Sequence, residues 1–211
     1  MIIIRNEEEK DYQTVERITR EAFYNMYIPG CTEHYLVNVM RSHKDFIPEL
    51  DFVMEADGEV IGNIMYTKSW LTDDDGGQKQ IITFGPVSIA PEHQRKGYGK
   101  RLMQHSFEKA VSLGYDVIVI FGTPMNYVSS GFKSCKKYNI CLEGDKFPAA
   151  MLVKELIPGA LDGKRRYYHD SPVMTVSEED AAAFDEKLER MEKKYQPSQE
   201  EFYIMSHSFL E

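Results

Sequence analysis

The chain has 211 residues, 42% hydrophobic and 28% charged, a composition that fits a globular fold and excludes a disordered, fibrous or membrane-embedded chain. Its formal net charge of −9 disfavours nucleic acid and anionic membranes as partners and suits a cationic ligand such as an amine. Cys31, Cys135 and Cys141 match neither a disulfide framework nor a metal or redox spacing, and Met1-Ile2-Ile3-Ile4 is too short for a signal segment. Buried thiols in a reducing cytoplasm, with no membrane span, are therefore expected.

Ile2 to Arg5 reads as a first strand. Glu7 to Tyr27 places Val15, Ile18, Ala22 and Met26 at the spacing of an amphipathic helix, which Pro29-Gly30 is expected to end, and Thr32 to Arg41 repeats the pattern. Phe52 to Ala56 and Val60 to Ser69 flank Asp57-Gly58, a strong hairpin signal. After the polar loop Asp73 to Gly77, Gln80 to Ala90 reads as another antiparallel strand, closed by Pro91.

A helix is predicted from near Gly97, with Leu102, Met103, Ser106, Phe107, Ala110 and Val111 along one stripe and Gly114 as its cap. The continuous apolar run Val117 to Phe121 reads as a strand buried on both faces, so strand, helix and strand imply a right-handed parallel crossover. Thr123-Pro124 opens a short helix that Gly131 ends, and Phe132 to Ile140 with Ala149 to Leu156 form a closing pair of strands. Residues 162–211 are an extension beyond a domain at 1–161. Ser177 with Asp180 suggests a helix start there, and Phe184, Leu188, Met191 and Tyr195 form a seam on a helix over about 178–195 that Pro197 terminates. That seam is expected to pack on its own domain or at a dimer contact.

The chemistry concentrates where the strand ending at Pro91 meets the helix starting at Gly97. The first amides of a helix have no internal partners and carry the positive end of its dipole. Gly97 and Gly99 keep side chains away from those amides, and Arg95, Lys96, Lys100 and Arg101 add four cationic groups within an otherwise acidic chain. The segment lacks the Lys-Ser/Thr of a P-loop and the third glycine of a dinucleotide fingerprint.

The run Val87-Ser88-Ile89-Ala90-Pro91-Glu92-His93-Gln94-Arg95-Lys96-Gly97-Tyr98-Gly99, followed by Leu102, resembles the central motif of the GNAT superfamily of acyl-CoA N-acyltransferases. Phe147 to Leu156 with Pro158-Gly159-Ala160-Leu161 is further similar to its YhbS-like branch. The resemblance covers roughly residues 1–161. It implies a mixed α/β fold, with antiparallel N-terminal strands, a parallel crossover whose strands splay, and flanking helices. It also implies acetyl-CoA as co-substrate without a metal, and a small-molecule amine or protein amino group as acceptor. The pyrophosphate would lie on Gln94, Arg95, Lys96, Gly97, Tyr98, Gly99 and Lys100, the pantetheine arm along Val87, Ser88 and Ile89, and Asn126 nearby.

Gly85-Pro86 sits inside an apolar strand, where proline removes a ladder donor and glycine permits a bulge, so local splaying is also readable from the residues themselves. The resemblance places the family's frequent tyrosine acid at Tyr127, a phenol of reference pKa about 10 facing a leaving thiol of about 8.5. No acidic residue occurs in Ile81 to Ile89, where some members carry a base, and Glu33, His34, Glu55 or a water chain are the alternatives. Tyr24, Met26, Tyr27 and Tyr35 are expected to form an acceptor wall. A non-catalytic acyl-CoA sensor signalling through the C-terminal helix is the other functional class the same features allow.

Overall fold

The computed structural model describes all residues, 1–211. Nine strands form one sheet: β1 (Ile2–Asn6), β2 (Phe52–Ala56), β3 (Glu59–Thr72), β4 (Gln78–Ile89), β5 (Val117–Phe121), β6 (Lys133–Ser134), β7 (Ile140–Cys141), β8 (Met151–Glu155) and β9 (Arg166–His169). The order along the sheet is β1-β2-β3-β4-β5-β8-β6, with β9 against the far end of β3 and β7 against β9. The helices are α1 (Tyr12–Phe23), α2 (Glu33–Met40), α3 (Tyr98–Ser112), α4 (Pro124–Tyr127), α5 (Glu178–Asp185) and α6 (Pro197–Ser206).

Local sequence explains most of this. Asp57 and Gly58 both take positive φ (53° and 90°), the turn whose twist matches the flanking strands of a two-residue hairpin. On α3, Leu102, Met103, Ser106, Phe107 and Ala110 are buried, as the helical spacing predicts, whereas Val111 faces solvent. Tyr115 donates its amide to the Ala110 carbonyl across Gly114, whose φ is 88°, so glycine ends the helix with satisfied carbonyls. Along β5 the pleat divides the run between two cores: Ile118 and Ile120 join α3, and Val117 and Val119 join Leu71, Ile81 and Tyr168 on the other face.

Three expectations fail. The first helix stops at Phe23, before Pro29-Gly30, because Asn25 takes a left-handed φ of 62°. Its side chain accepts from the amides of Gly30 (3.0 Å) and Lys194 (3.1 Å) and donates to Glu192 O (2.9 Å). Phe132 to Ile140 is not one strand: only Lys133 and Ser134 pair with β8, a 3-10 turn follows, and β7 runs parallel to β9. Nor does a helix span 178–195. α5 ends at Asp185, and Pro197 begins α6 rather than terminating a helix, as suits a residue without an amide hydrogen at a first turn. Phe184 packs on Tyr35 (5.5 Å between ring centroids), while Leu188 and Tyr195 stay exposed.

Arg41 bridges buried Glu7 (2.8 Å) and Glu16 (2.7 Å). Asp51 lies beside Glu7, and burial together with that neighbouring carboxylate raises its pKa well above the usual range. The folded chain therefore holds a proton there that the unfolded chain releases above about pH 4, so this group's contribution to stability declines as pH rises. Asp51→Asn, which cannot ionise and retains a donor for Glu7, is expected to flatten the decline in denaturation midpoint between about pH 5 and pH 9. Urea titrations across that range would measure it, and an unchanged slope would reject the assignment.

Candidate functional site

The β4–β5 junction sets the site. Parallel pairing between these strands is confined to Ile82 opposite Ile118. One residue on, the Thr83 hydroxyl rather than a backbone amide reaches the Val119 carbonyl. On the other edge of β4 the register shifts, so that Gly85 and Pro86 together oppose the single residue Met65. This is the bulge expected where proline cannot donate, and it turns the end of β4 away from β5.

The turn between β4 and α3 follows directly. Arg95 and Gly97 both adopt left-handed backbone (φ 59° and 83°), which aims successive amides into one concavity. The amides of residues 95–100 make no backbone hydrogen bond, and the first closing bond is Arg101 N to Gly97 O (3.1 Å). A Cβ built on Gly97 meets nothing within 4 Å, and one on Gly99 meets only Ile89 Cγ1 at 3.8 Å.

The Gln94 side chain donates to Ile89 O (3.0 Å) and Lys96 Nζ to Glu92 O (2.9 Å), fastening the turn to the strand. Around this turn lies a cavity of about 520 Å³. Of the residues singled out in the sequence, Val87, Ser88, Ile89, Gln94, Arg95, Gly97, Tyr98, Gly99, Lys100, Asn126 and Tyr127 line it. Lys96 does not, and the Ser88 hydroxyl points inward to Asn63 and Thr19. Arg101 lies on the solvent side of α3, beside His105 and Glu108.

A second cavity of about 320 Å³ adjoins the first and shares Phe23, Tyr27, Val87 and Tyr127 with it. Its wall adds Glu33, Phe84, Gly85, Pro86, Phe121 and Asp170. Tyr127 thus stands at the junction. Its ring packs against Phe84 (5.9 Å) and Phe132 (5.9 Å), and burial, with a smaller effect from Tyr27, raises its pKa, so it stays protonated through the neutral range. Burial also lifts the Tyr27 phenol to about 12 and the Glu33 carboxyl above its ordinary value. Asp170, half-buried at the end of β9, is raised to about 6, again chiefly by burial.

The expected acceptor wall is only partly assembled. Tyr27 and Met26 face the cavities, but Tyr24 donates to Met191 O (3.1 Å) and Tyr35 packs on α5. His34 is fully buried between Cys31 (3.2 Å) and Asp185 (3.2 Å), and Glu55 is held by Arg5 (2.6 Å), so neither reaches the site. Phe23, Phe121, Gly122 and Asp170 had no motif to mark them. A larger cavity of about 750 Å³, beneath residues 186–193, is lined by Arg20, Tyr24 and Asp185 and shares no residue with these two.

Gly122 fixes the Tyr127 ring: a Cβ there would lie 2.5 Å from Tyr127 Cε2. Gly122→Ala is expected to lower stability by about 1–3 kcal/mol, the cost of an overpacked contact. In a Tyr127→Ala background that loss should vanish, and equal losses in both backgrounds would contradict the contact.

The profile of the Acetyltransferase (GNAT) family matches residues 20–132. An uncharacterised N-acetyltransferase, YjhQ of Escherichia coli strain K12, is 26% identical over 110 residues, covering 51% of this chain and 56% of that protein. Mouse N-acetyltransferase 8B is 24% identical over 118 residues, covering 53% and 50%. The chain thus spans about half the length of these two curated relatives. Among solved structures, E. coli YhbS in complex with CoA superposes with a TM-score of 0.70 at 21% identity, covering 82% of this chain and 91% of that one. A GNAT acetyltransferase from Brucella melitensis in complex with acetyl-CoA gives 0.65 at 22% identity, covering 83% and 99%. The match of the family profile across more than half of the sequence, on a fold these two structures share, establishes that this chain belongs to the GNAT acetyltransferase family.

Proposed function

We propose that the protein transfers an acetyl group from acetyl-CoA to a primary amine by direct attack of the amine on the thioester. The observation that carries this reading is the row of unbonded amides at 95–100, opening into a cavity that runs past the free edge of β4 to Tyr127. The pyrophosphate would accept from these amides, with Arg95 and Lys100 adding charge at the rim. The pantetheine arm would follow Val87 to Ile89, where β4 has lost its partner strand. Acetyl-CoA fits this chain through its amides, and the bound CoA and acetyl-CoA of the two structural relatives agree with that choice.

In the mechanism, backbone at the β4 bulge polarises the thioester carbonyl as negative charge develops on its oxygen. Tyr127 donates its phenolic proton to the departing sulfur. The amine approaches from the smaller cavity, whose volume of about 320 Å³ suits a small molecule better than a folded protein segment. The three buried, unpaired cysteines fit a cytoplasmic setting.

Three substitutions separate binding from chemistry. Gly99→Val leaves the chain's own packing nearly untouched, because its Cβ has only the 3.8 Å contact with Ile89, yet it blocks approach to the amides. It is expected to weaken acetyl-CoA binding by more than about tenfold, whereas Lys100→Ala removes one exposed charge and costs only a few-fold. Calorimetric titration measures both, and a larger loss from Lys100→Ala would reject the amide-centred site. Tyr127→Phe should lower kcat by about 10²-fold with acetyl-CoA affinity retained, read by thiol release. Unchanged turnover would remove Tyr127 from the reaction.

A further inference from the structure

The smaller cavity carries two carboxylates, Glu33 from α2 and Asp170 from the end of β9, and no lysine, arginine or histidine lines it. Each carboxylate is held from behind by a backbone amide: Thr32 N donates to Glu33 Oε2 (3.0 Å) and Ser171 N to Asp170 Oδ1 (2.9 Å). Those bonds fix the side chains but neutralise neither. The remaining wall is aromatic and apolar, built by Phe23, Tyr27, Phe121 and Tyr127 with Leu36 and Met174. Carboxylates desolvated in such surroundings require cationic partners, and the protein supplies none among the lining residues.

Building on the transferase reading, we propose that Asp170 is the catalytic residue that takes up the proton of the attacking ammonium group and that Glu33 holds a second ammonium group, so the acceptor is a small diamine. Charge balance favours this acceptor over a monoamine. A diammonium ligand neutralises both carboxylates on entry. When one ammonium group gives its proton to Asp170, the other still pairs with Glu33, and the cavity remains neutral through the reaction. A monoamine would leave one carboxylate desolvated and unpaired. The aromatic wall suits the methylene chain between the two nitrogens and adds cation–π attraction at either end.

The first ammonium proton goes to Asp170, which holds it through acyl transfer and releases it to solvent as the product leaves. The neutral nitrogen attacks the thioester carbon, and the tetrahedral adduct breaks its carbon–sulfur bond. Tyr127 protonates the sulfur, and the second proton lost by nitrogen restores the phenol. The products are the N-acetyl diamine, free thiol and one released proton. Asp170 directly follows β9, outside the 20–132 segment matched to the family. Thr83, bonded to the Tyr168 hydroxyl (2.9 Å), closes the wall beside it.

The titratable groups facing Asp170 are Tyr168 on the preceding strand β9, Tyr127 on α4, Tyr27 after α1 and Glu33 on α2, with Asp45 beyond Ser171. Tyr27, Tyr127 and Tyr168 all have pKa values raised by burial and stay neutral in the working range. An acid limb near pH 6 in the turnover profile therefore reports a carboxylate of this cavity, and the two isosteric substitutions tell which.

The full chain would be assayed by thiol release at saturating acetyl-CoA, with α,ω-diamines of three to six carbons and the monoamines of equal length, from about pH 5 to pH 9. The best diamine is expected to exceed its monoamine by at least about tenfold in kcat/KM. Asp170→Asn should lower kcat about 10²-fold and abolish the acid limb, with acetyl-CoA affinity by calorimetry unchanged. Glu33→Gln should raise the diamine KM, leave kcat and the limb in place, and erase the preference over the monoamine. Equal use of both amine classes, no diamine turnover despite acetyl-CoA binding, or an intact acid limb in Asp170→Asn would each overturn this inference while leaving the transferase reading standing. Failure to bind acetyl-CoA at all would sink both.

Discussion

The loss of pairing between β4 and β5 beyond Ile82 and Ile118 is the constraint on which the rest of the molecule depends. A fully paired sheet would satisfy every backbone group and leave no channel. Here the two-for-one bulge at Gly85-Pro86 turns β4 away, and the gap is kept open from below by an aromatic cluster. Phe84 packs on Phe107 (6.3 Å), Phe132 (6.0 Å) and Tyr127 (5.9 Å), geometries that aromatic rings favour and that aliphatic side chains would not hold as stiffly. The interruption therefore costs ladder bonds only at the mouth of the site, while the apolar core beneath it stays closed.

The same opening defines both halves of the site. Toward α3 it meets amides freed by the left-handed residues Arg95 and Gly97, a region rich in donors and positive charge. Toward α2 and β9 it meets two desolvated carboxylates and a wall of rings. In the proposed reaction a strongly anionic co-substrate and a cationic acceptor would enter from opposite ends of one passage, with Tyr127 between them. The polarity of the passage follows from backbone amides at one end and side-chain carboxylates at the other, and in the proposed reaction it would orient the two reactants before the reacting atoms meet.

Residues after 161 shape the end toward α2 and β9. Arg20 bonds Asp185 at 2.7 Å, and Asn25 and Gln199 knit the segment after α1 to residues 192–194. Tyr27 stacks on Phe202 of α6, with ring centroids 4.6 Å apart. Met174 lies 3.4 Å from the position of a Cβ on Gly85. Breaking the buried Arg20–Asp185 pair would leave an uncompensated charge. The loop that carries Tyr27 toward the cavity is therefore ordered by tertiary partners and not by any helical preference of its own.

Elements whose structure is local were legible in the sequence. The Asp57-Gly58 hairpin, the α3 stripe with its Gly114 cap, the doubly buried β5 and the glycine-bearing turn before α3 each depend on residues within one or two turns of chain. Even the β4 bulge was marked, because proline and glycine impose their geometry wherever they stand. What only the folded chain decided were the features made by residues far apart: Asn25 ending α1 through bonds to residues 192–194, Phe132 to Ile140 dividing between two partner strands, and Asp170 arriving opposite Glu33 across one cavity. Periodicity records which face of an element is apolar. It carries no information about which distant side chain will be brought against that face, and the charge balance of the smaller cavity is set by that meeting.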